Sequence, residues 1–237
     1  MKNLLFLILV MLIAPTSEAF AQTYQEKEQQ YPLTVDGKKY IVSGFTSFGG
    51  LNDETVYANA LLWAIDNISP KMRENLNNIN ITGKSFEAFV SLAPEAKANN
   101  VYHCKAVFHV ASGKLVFHIS EIVMESSSIL GSKVTPFEKL TPEKKETHKE
   151  IIEDFTTAES LMLNKLFDFV HNNKPQPITH WEEIGFKKAV QGMNETECKL
   201  ACGKPQNIQD NGGEIQWMYT SSFYLFFKNG ILDTIIK

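Results

Sequence analysis

Two of the six histidines in this chain lie in a pattern that brings them together. Residues 101–110 alternate between apolar and polar side chains, and Ser112-Gly113 predicts a two-residue hairpin turn after them. With that turn, His109 lies opposite Val116 and His118 lies opposite Val107. Histidines that are diagonal neighbours on one face of a sheet lie about 7–8 Å apart at the backbone. Such a pair could share a metal ion or a proton.

We favour a simpler interpretation, in which these histidines lie on the solvent-facing side of a half-buried sheet. His103 is too far along the strand to join the pair, and Glu121 and Glu125, although near in sequence, do not complete a ligand set. The chain contains no nucleophile elbow, phosphate loop or zinc-binding His-Glu-x-x-His motif. We therefore predict no catalytic residue, metal or cofactor. A metal-dependent or hydrolytic envelope enzyme that uses His109 and His118 is the alternative.

The three cysteines have spacings that favour packing over chemistry. Cys198 and Cys202 are four residues apart on one face of a predicted helix, and an odd count leaves at least one thiol unpaired. A metal site would need histidine or carboxylate partners that the nearby sequence does not supply. We expect all three to be buried core residues; a disulfide from Cys104 to Cys198 or Cys202 is the alternative.

The first 21 residues match a secretory signal peptide. Lys2 precedes an apolar run, Leu4–Ala14, and Ala19-Phe20-Ala21 places small residues where a signal peptidase cleaves, before Gln22. The run is short for a membrane span, which needs roughly 20 residues, so an uncleaved anchor helix is the less favoured interpretation. No cysteine directly follows the run, so we expect no lipid-modified N-terminus, and no later stretch approaches membrane length. The predicted location is the periplasm or outside the cell.

The charge of the chain argues against nucleic acid as a partner. The formal net charge is −4, and cleavage before Gln22 would leave it unchanged because Lys2 and Glu18 are both removed. A mildly acidic protein has no electrostatic footprint for nucleic acid or anionic lipid. About 216 residues then remain, which suffices for one large or two small domains.

The sequence predicts two α+β domains, each an antiparallel sheet packed against helices. In residues 31–173, a helix capped by Asn52 or Asp53 and ending near Asn67 precedes several strands. A long helix, opened by Thr141 as cap and a proline at its first position, follows them. The linker 172–177 contains two asparagines and two prolines and ends this unit.

The second unit, residues 178–237, has the pattern ααβββ. A short helix is predicted over residues 182–190. A second begins at Asn194, with Glu197 completing a capping box and Gly203 ending it. The three strands are predicted at Glu214–Tyr219, Phe223–Lys228 and Ile231–Ile236, with Asn229-Gly230 as the turn between the last two.

The second unit resembles the SmpA/OmlA (BamE-like) domain. The resemblance covers about 55 residues and rests on four stretches: Gly192-Met193-Asn194-Glu195-Thr196-Glu197-Cys198, Gly203-Lys204-Pro205, Trp217-Met218-Tyr219 and Phe227-Lys228-Asn229-Gly230. This chain departs from the family at Cys198 and Cys202, where valine and leucine are usual, which supports a packing role for both thiols.

The first unit resembles the TBP-like-fold domain of unknown function that occurs in exported proteins of Bacteroides-type bacteria. The stretches that carry this looser resemblance are residues 52–63 and residues 113–122. It implies a saddle-shaped sheet with helices, and it does not imply DNA binding. Neither resemblance supplies a catalytic residue, and both families are associated with envelope interaction or with unknown roles.

The last hairpin suggests an interaction surface. A regular ladder around Asn229-Gly230 pairs Phe227 with Leu232, Leu225 with Thr234 and Phe223 with Ile236. The opposite face then holds Tyr224, Phe226, Ile231 and Ile235. Two helices cover only one side of such a sheet, so this face either is covered by the first unit or binds a partner. We therefore predict a non-catalytic exported binding protein whose partner is another protein or an envelope component.

Overall fold

A computed structural model describes residues 33–36, 39–68, 73–94, 100–129 and 131–237. The predicted signal peptide lies outside these ranges. The described residues form eleven strands and four helices, so the α+β prediction is confirmed. In chain order they are β1 (Leu33–Asp36), β2 (Lys39–Ser47), α1 (Asp53–Asn67), β3 (Leu76–Asn80), β4 (Ser85–Leu92), β5 (Asn100–Ala111), β6 (Lys114–Ser128), β7 (Gly131–Pro136), α2 (Glu146–Asn172), α3 (Trp181–Gly185), α4 (Glu195–Cys202), β8 (Asn207–Asp210), β9 (Glu214–Thr220), β10 (Phe223–Lys228) and β11 (Ile231–Ile236). None of these helices is long and apolar enough to span a bilayer.

The large sheet is built around the long hairpin of β5 and β6. The strand order is β1-β2-β6-β5-β4-β3, and β7 pairs with the distal half of β6. The predicted turn is confirmed: Ser112 and Gly113 both have positive φ, at 55° and 69°. Their N–H groups donate to the Asp53 carboxylate, which ties the turn to the start of α1.

Helices α1 and α2 cover one face of the large sheet. The predicted cap of α1 is confirmed, because the Asn52 side chain accepts from the Thr55 N–H and the helix ends at Asn67. Alternate residues of β5 are buried beneath the helices, as their period of two requires. These residues are Tyr102, Cys104, Ala106, Phe108 and Val110.

The long helix begins four residues later than predicted, at Glu146 instead of Pro142. Thr141 does not cap it; its carbonyl accepts from the Lys144 and Lys145 N–H groups, which closes a separate turn. The Thr141 N–H donates to His148 Nδ1 at 2.9 Å. The helix starts at Glu146, and no side chain caps it. Thr141 therefore belongs to this separate turn, and its hydrogen bond to His148 joins the turn to the start of α2.

The small sheet has four strands, in the order β11-β10-β9-β8, and not the three predicted. Strand β8 was missed because all four of its residues are exposed, so they show no apolar alternation. Helix α3 ends at Gly185 instead of continuing to Val190. Helix α4 has the predicted capping box, with the Asn194 side chain accepting from the Glu197 N–H.

The buried side chains of both sheets and all four helices form one continuous cluster. Arg73, which precedes β3, donates from Nη1 to the carbonyls of Leu200 and Ala201 at 2.9 Å each. These carbonyls lie at the C-terminal end of α4, where the positive guanidinium also interacts favourably with the negative end of the helix dipole. Asn59 of α1 binds the linker, donating to the Asn173 carbonyl and accepting from the Asn173 side chain.

Candidate functional site

His109 and His118 lie where the sequence places them. Val107 pairs with His118 and His109 pairs with Val116, so the two histidines are diagonal neighbours on the exposed face of the large sheet. His118 Nδ1 lies 2.8 Å from the Ser43 hydroxyl on the neighbouring strand. Within the described ranges, no group of three or more His, Cys, Asp or Glu side chains is placed to hold a metal ion.

A second polar row on this face was not predicted. Ser91 lies opposite His103, and the Ser91 hydroxyl is 2.9 Å from His103 Nδ1. The Glu125 carboxylate is 3.1 Å from His103 Nε2, and hydrogen bonds from Ser132 and His103 lower the pKa of Glu125. The hydroxyl, imidazole and carboxylate follow one another in the order of a catalytic triad. They lie on an open sheet face, however, with 39% of the His103 side chain exposed. We interpret the row as a link between β4, β5 and β6.

The cysteines are free and buried, which confirms their assignment to the core. Burial raises the pKa of Cys104 to about 12 and that of Cys202 to about 11. Burial also raises the pKa of Cys198. A thiol reacts as its thiolate, so these three groups are poor nucleophiles near neutral pH.

Tyr224, Phe226 and Ile231 share one face of the small sheet, as predicted. The two aromatic rings are 6.5 Å apart between centroids and tilted by 31°. Ile231 is 45% exposed, and neither ring belongs to the buried cluster. The other face, which carries Trp217, Leu225 and Phe227, is buried.

The placement of Ile235 on that same face was wrong. A β-bulge in β11 interrupts the ladder, so that Phe227 pairs with Leu232 but Phe226 pairs with Thr234. The extra residue shifts the register by one, and Ile235 pairs with the buried Leu225 and packs against the core. Ile236, which pairs with Tyr224 and is 48% exposed, takes its position. We call Tyr224, Phe226, Ile231 and Ile236 the open face of the small sheet.

A buried carboxylate fixes α4 beneath the small sheet. Glu197 accepts hydrogen bonds from the Thr179 hydroxyl and from the N–H groups of Thr179, His180 and Asn194. Burial alone would raise the pKa of Glu197, but these hydrogen bonds outweigh it and hold the pKa below its ordinary value. The carboxylate thereby anchors the end of the linker to the start of α4.

A cleft that the sequence did not predict lies between the helices of the large sheet and the small sheet. It is open to solvent, has a volume of about 530 Å³ and is lined by α1, α2, the linker, α4 and the strands β8 and β9. Ile208 of β8 pairs with Trp217 and shares its face, yet Ile208 is 55% exposed. The unpredicted strand β8 therefore widens the sheet and forms one wall of the cleft. We call this the linker cleft.

Comparisons with known proteins identify similar folds only. No family model matches the chain, and no curated protein matches it. The resemblance of the second unit to the SmpA/OmlA domain therefore stays a prediction. A TBP-like protein from Parabacteroides distasonis is similar in structure, with a TM-score of 0.46 and 14% identity; the match covers 60% of this chain and 99% of that one. A DUF4468 family protein from Bacteroides ovatus has a TM-score of 0.44 and 7% identity, covering 61% of this chain and 94% of that one.

Proposed function

We propose that this chain is an exported, non-catalytic binding protein that contacts another protein through the open face of the small sheet. The observation that carries the proposal is the exposure of Ile231 and Ile236, at 45% and 48%, beside two aromatic rings that stand outside the buried cluster. Contiguous exposed apolar side chains are uncommon on soluble monomers and often mark interaction sites.

The size of the open face favours a short segment of a partner. The four side chains lie on β10 and β11, and two strands spaced about 4.8 Å apart, with six residues rising about 3.4 Å each, give a face of roughly 200 Å². A stable interface buries about 800 Å² on each partner. The small face therefore suits a peptide segment or a transient contact better than a permanent complex.

The proposed location outside the cytoplasm rests on the signal-peptide pattern at residues 1–21. An envelope protein is accordingly the expected partner. Removal of residues 1–21 in the exported form, measured by mass spectrometry, is the direct check.

The binding proposal is tested by replacing the two rings. The Tyr224→Ser/Phe226→Ser protein and the wild type are used as baits in envelope extract after crosslinking, and the captured proteins are quantified. A matched control replaces Phe45 and Phe89 by serine, because these two rings are 52% and 48% exposed on the large sheet.

We expect the captured amount of at least one protein to decrease roughly tenfold for the first variant, as for the loss of a hot-spot contact. The captured amount should be unchanged for the control. Circular dichroism checks that each variant is folded. If the folded Tyr224→Ser/Phe226→Ser protein captures the same partners in the same amounts as the wild type, the open face is not the binding site.

A further inference from the structure

We propose that the exposed face of the large sheet binds a second copy of this chain and so forms a symmetric dimer. The proposal goes beyond the proposed function, because it concerns the sheet face opposite α1 and α2 and not the open face of the small sheet. On this face Phe45, Phe89 and Val116 are 52%, 48% and 40% exposed in the described part of the chain.

These three side chains belong to one row that crosses four neighbouring strands. Phe45 of β2 lies directly opposite Val116 of β6. The register places Val107 of β5 diagonally from Val116, and Phe89 of β4 diagonally from Val107. Opposite and diagonal neighbours on one face lie at most about 7–8 Å apart at the backbone, so a single partner can cover all four. We call Phe45, Val116, Val107 and Phe89 the apolar stripe.

Polar side chains border the apolar stripe on both sides. Ser43 and His118, whose side chains are 2.8 Å apart, follow it on one side. Lys114 and His109 follow it on the other side. An apolar centre inside a polar rim is the arrangement of protein–protein interfaces, so the pattern favours a protein surface as the occupant.

The charges next to the stripe are compensated within the chain. Lys105 Nζ lies 3.0 Å from the Glu87 carboxylate between Val107 and Phe89, and these two side chains are only 25% and 21% exposed. Lys114 Nζ lies over the Phe45 ring, 4.6 Å from its centroid. Covering the Lys105–Glu87 pair therefore buries no unpaired charge, which is the costly case. Two copies can accordingly meet here although each has a net charge of −4.

The area of the face favours a second copy over a short peptide. Strands β2, β6, β5 and β4, spaced about 4.8 Å apart with at least eight residues rising about 3.4 Å each, cover roughly 500 Å². Strands β1, β3 and β7 extend the sheet further. The total approaches the area of about 600–800 Å² that each partner buries in a specific interface. A two-fold axis through the stripe brings it against its own copy, as in most homodimers, and packs two sheets face to face.

Analytical ultracentrifugation of the chain from Gln22 onwards, the predicted exported form, tests the proposal. Concentrations of about 1–100 μM cover micromolar dissociation constants, and we expect a monomer–dimer equilibrium. Phe45→Ser/Phe89→Ser should weaken the dimer roughly tenfold or more, as for the loss of hot-spot contacts. Tyr224→Ser/Phe226→Ser is the matched control and should dimerise like the wild type.

Val116→Lys, which places a charge in the middle of the stripe, is the second variant and should also weaken the dimer at least tenfold. Circular dichroism checks that each variant is folded. The proposal is overturned if the wild type stays monomeric over the whole range or if either folded stripe variant dimerises like the wild type. It is also overturned if Tyr224→Ser/Phe226→Ser abolishes the dimer. The capture experiment depends on Tyr224 and Phe226 alone, so this proposal and the proposed function fail independently.

Discussion

Two buried glutamates show how the surroundings of a residue, and not its type, decide its charge. Glu197 receives several hydrogen bonds, and its pKa is lowered. Glu159 of α2 is fully buried, its Oε1 atom has no partner in the described structure, and its other oxygen accepts only from the Ser160 hydroxyl at 3.3 Å. Burial raises the pKa of Glu159 to about 7.

The raised pKa of Glu159 makes a prediction about stability. Between the ordinary value of 4.5 and about 7, the folded state holds a proton that the unfolded state releases, so rising pH destabilises the fold through this window. The shift corresponds to a loss of about 3 kcal/mol. Glu159→Gln removes the titration, so we expect it to be more stable than the wild type at about pH 8 and much closer to it at about pH 4.

Urea unfolding at both pH values measures this difference. Glu153→Gln, on the exposed side of the same helix, is the control and should keep the pH dependence of the wild type. An unchanged pH dependence in Glu159→Gln would show that this carboxyl is ionised in the folded protein near neutral pH.

At the scale of elements, the turns follow directly from local sequence. Asn229 and Gly230 have φ of 53° and 76°, which asparagine and glycine adopt more readily than other residues. The bounds of strand β11 were predicted correctly, but the pairing of its second half was not, because a bulge leaves no mark on the pattern Ile-Leu-Asp-Thr-Ile-Ile. The bulge occurs where Leu232 donates to the Met193 carbonyl and so ties the strand to the segment before α4.

The bulge predicts opposite roles for two adjacent isoleucines. Ile235→Ser removes a side chain packed against the core and should lower the free energy of unfolding by about 1–2 kcal/mol. Ile236→Ser changes an exposed side chain and should cost at most about 0.5 kcal/mol. Urea unfolding measures the free energy of unfolding of both variants. A larger decrease for Ile236→Ser than for Ile235→Ser would support the regular register without the bulge.

At the scale of the whole molecule, the two predicted units share one buried cluster. Tyr57 of α1 packs against Trp181 of α3, with ring centroids 5.8 Å apart, and Arg73 holds the end of α4. The linker 172–177 therefore connects halves that stabilise each other, whatever the evolutionary boundaries of the units.

We accordingly expect the chain to unfold in a single cooperative transition. Far-ultraviolet circular dichroism follows both sheets, and tryptophan fluorescence follows Trp63 in α1 together with Trp181 and Trp217 in the second half. The two signals should give the same urea midpoint, as two-state unfolding requires. Separate midpoints would instead support independent domains at 31–173 and 178–237.

The sequence alone determined the features that depend on near neighbours: the cap of α1 at Asn52 or Asp53, the cap of α4 at Asn194, the turns at Ser112-Gly113 and Asn229-Gly230, the alternation along β5 and the opposition of His109 to Val116. Each depends on the backbone preferences or the side-chain period of a few consecutive residues.

Tertiary structure alone decided the bulge in β11, the fourth strand β8, the row of Ser91, His103 and Glu125, and the linker cleft. These features arise from contacts between residues far apart in the chain. Local patterns carry no signal for such contacts, since their free energy appears only when the two sheets and their helices pack together.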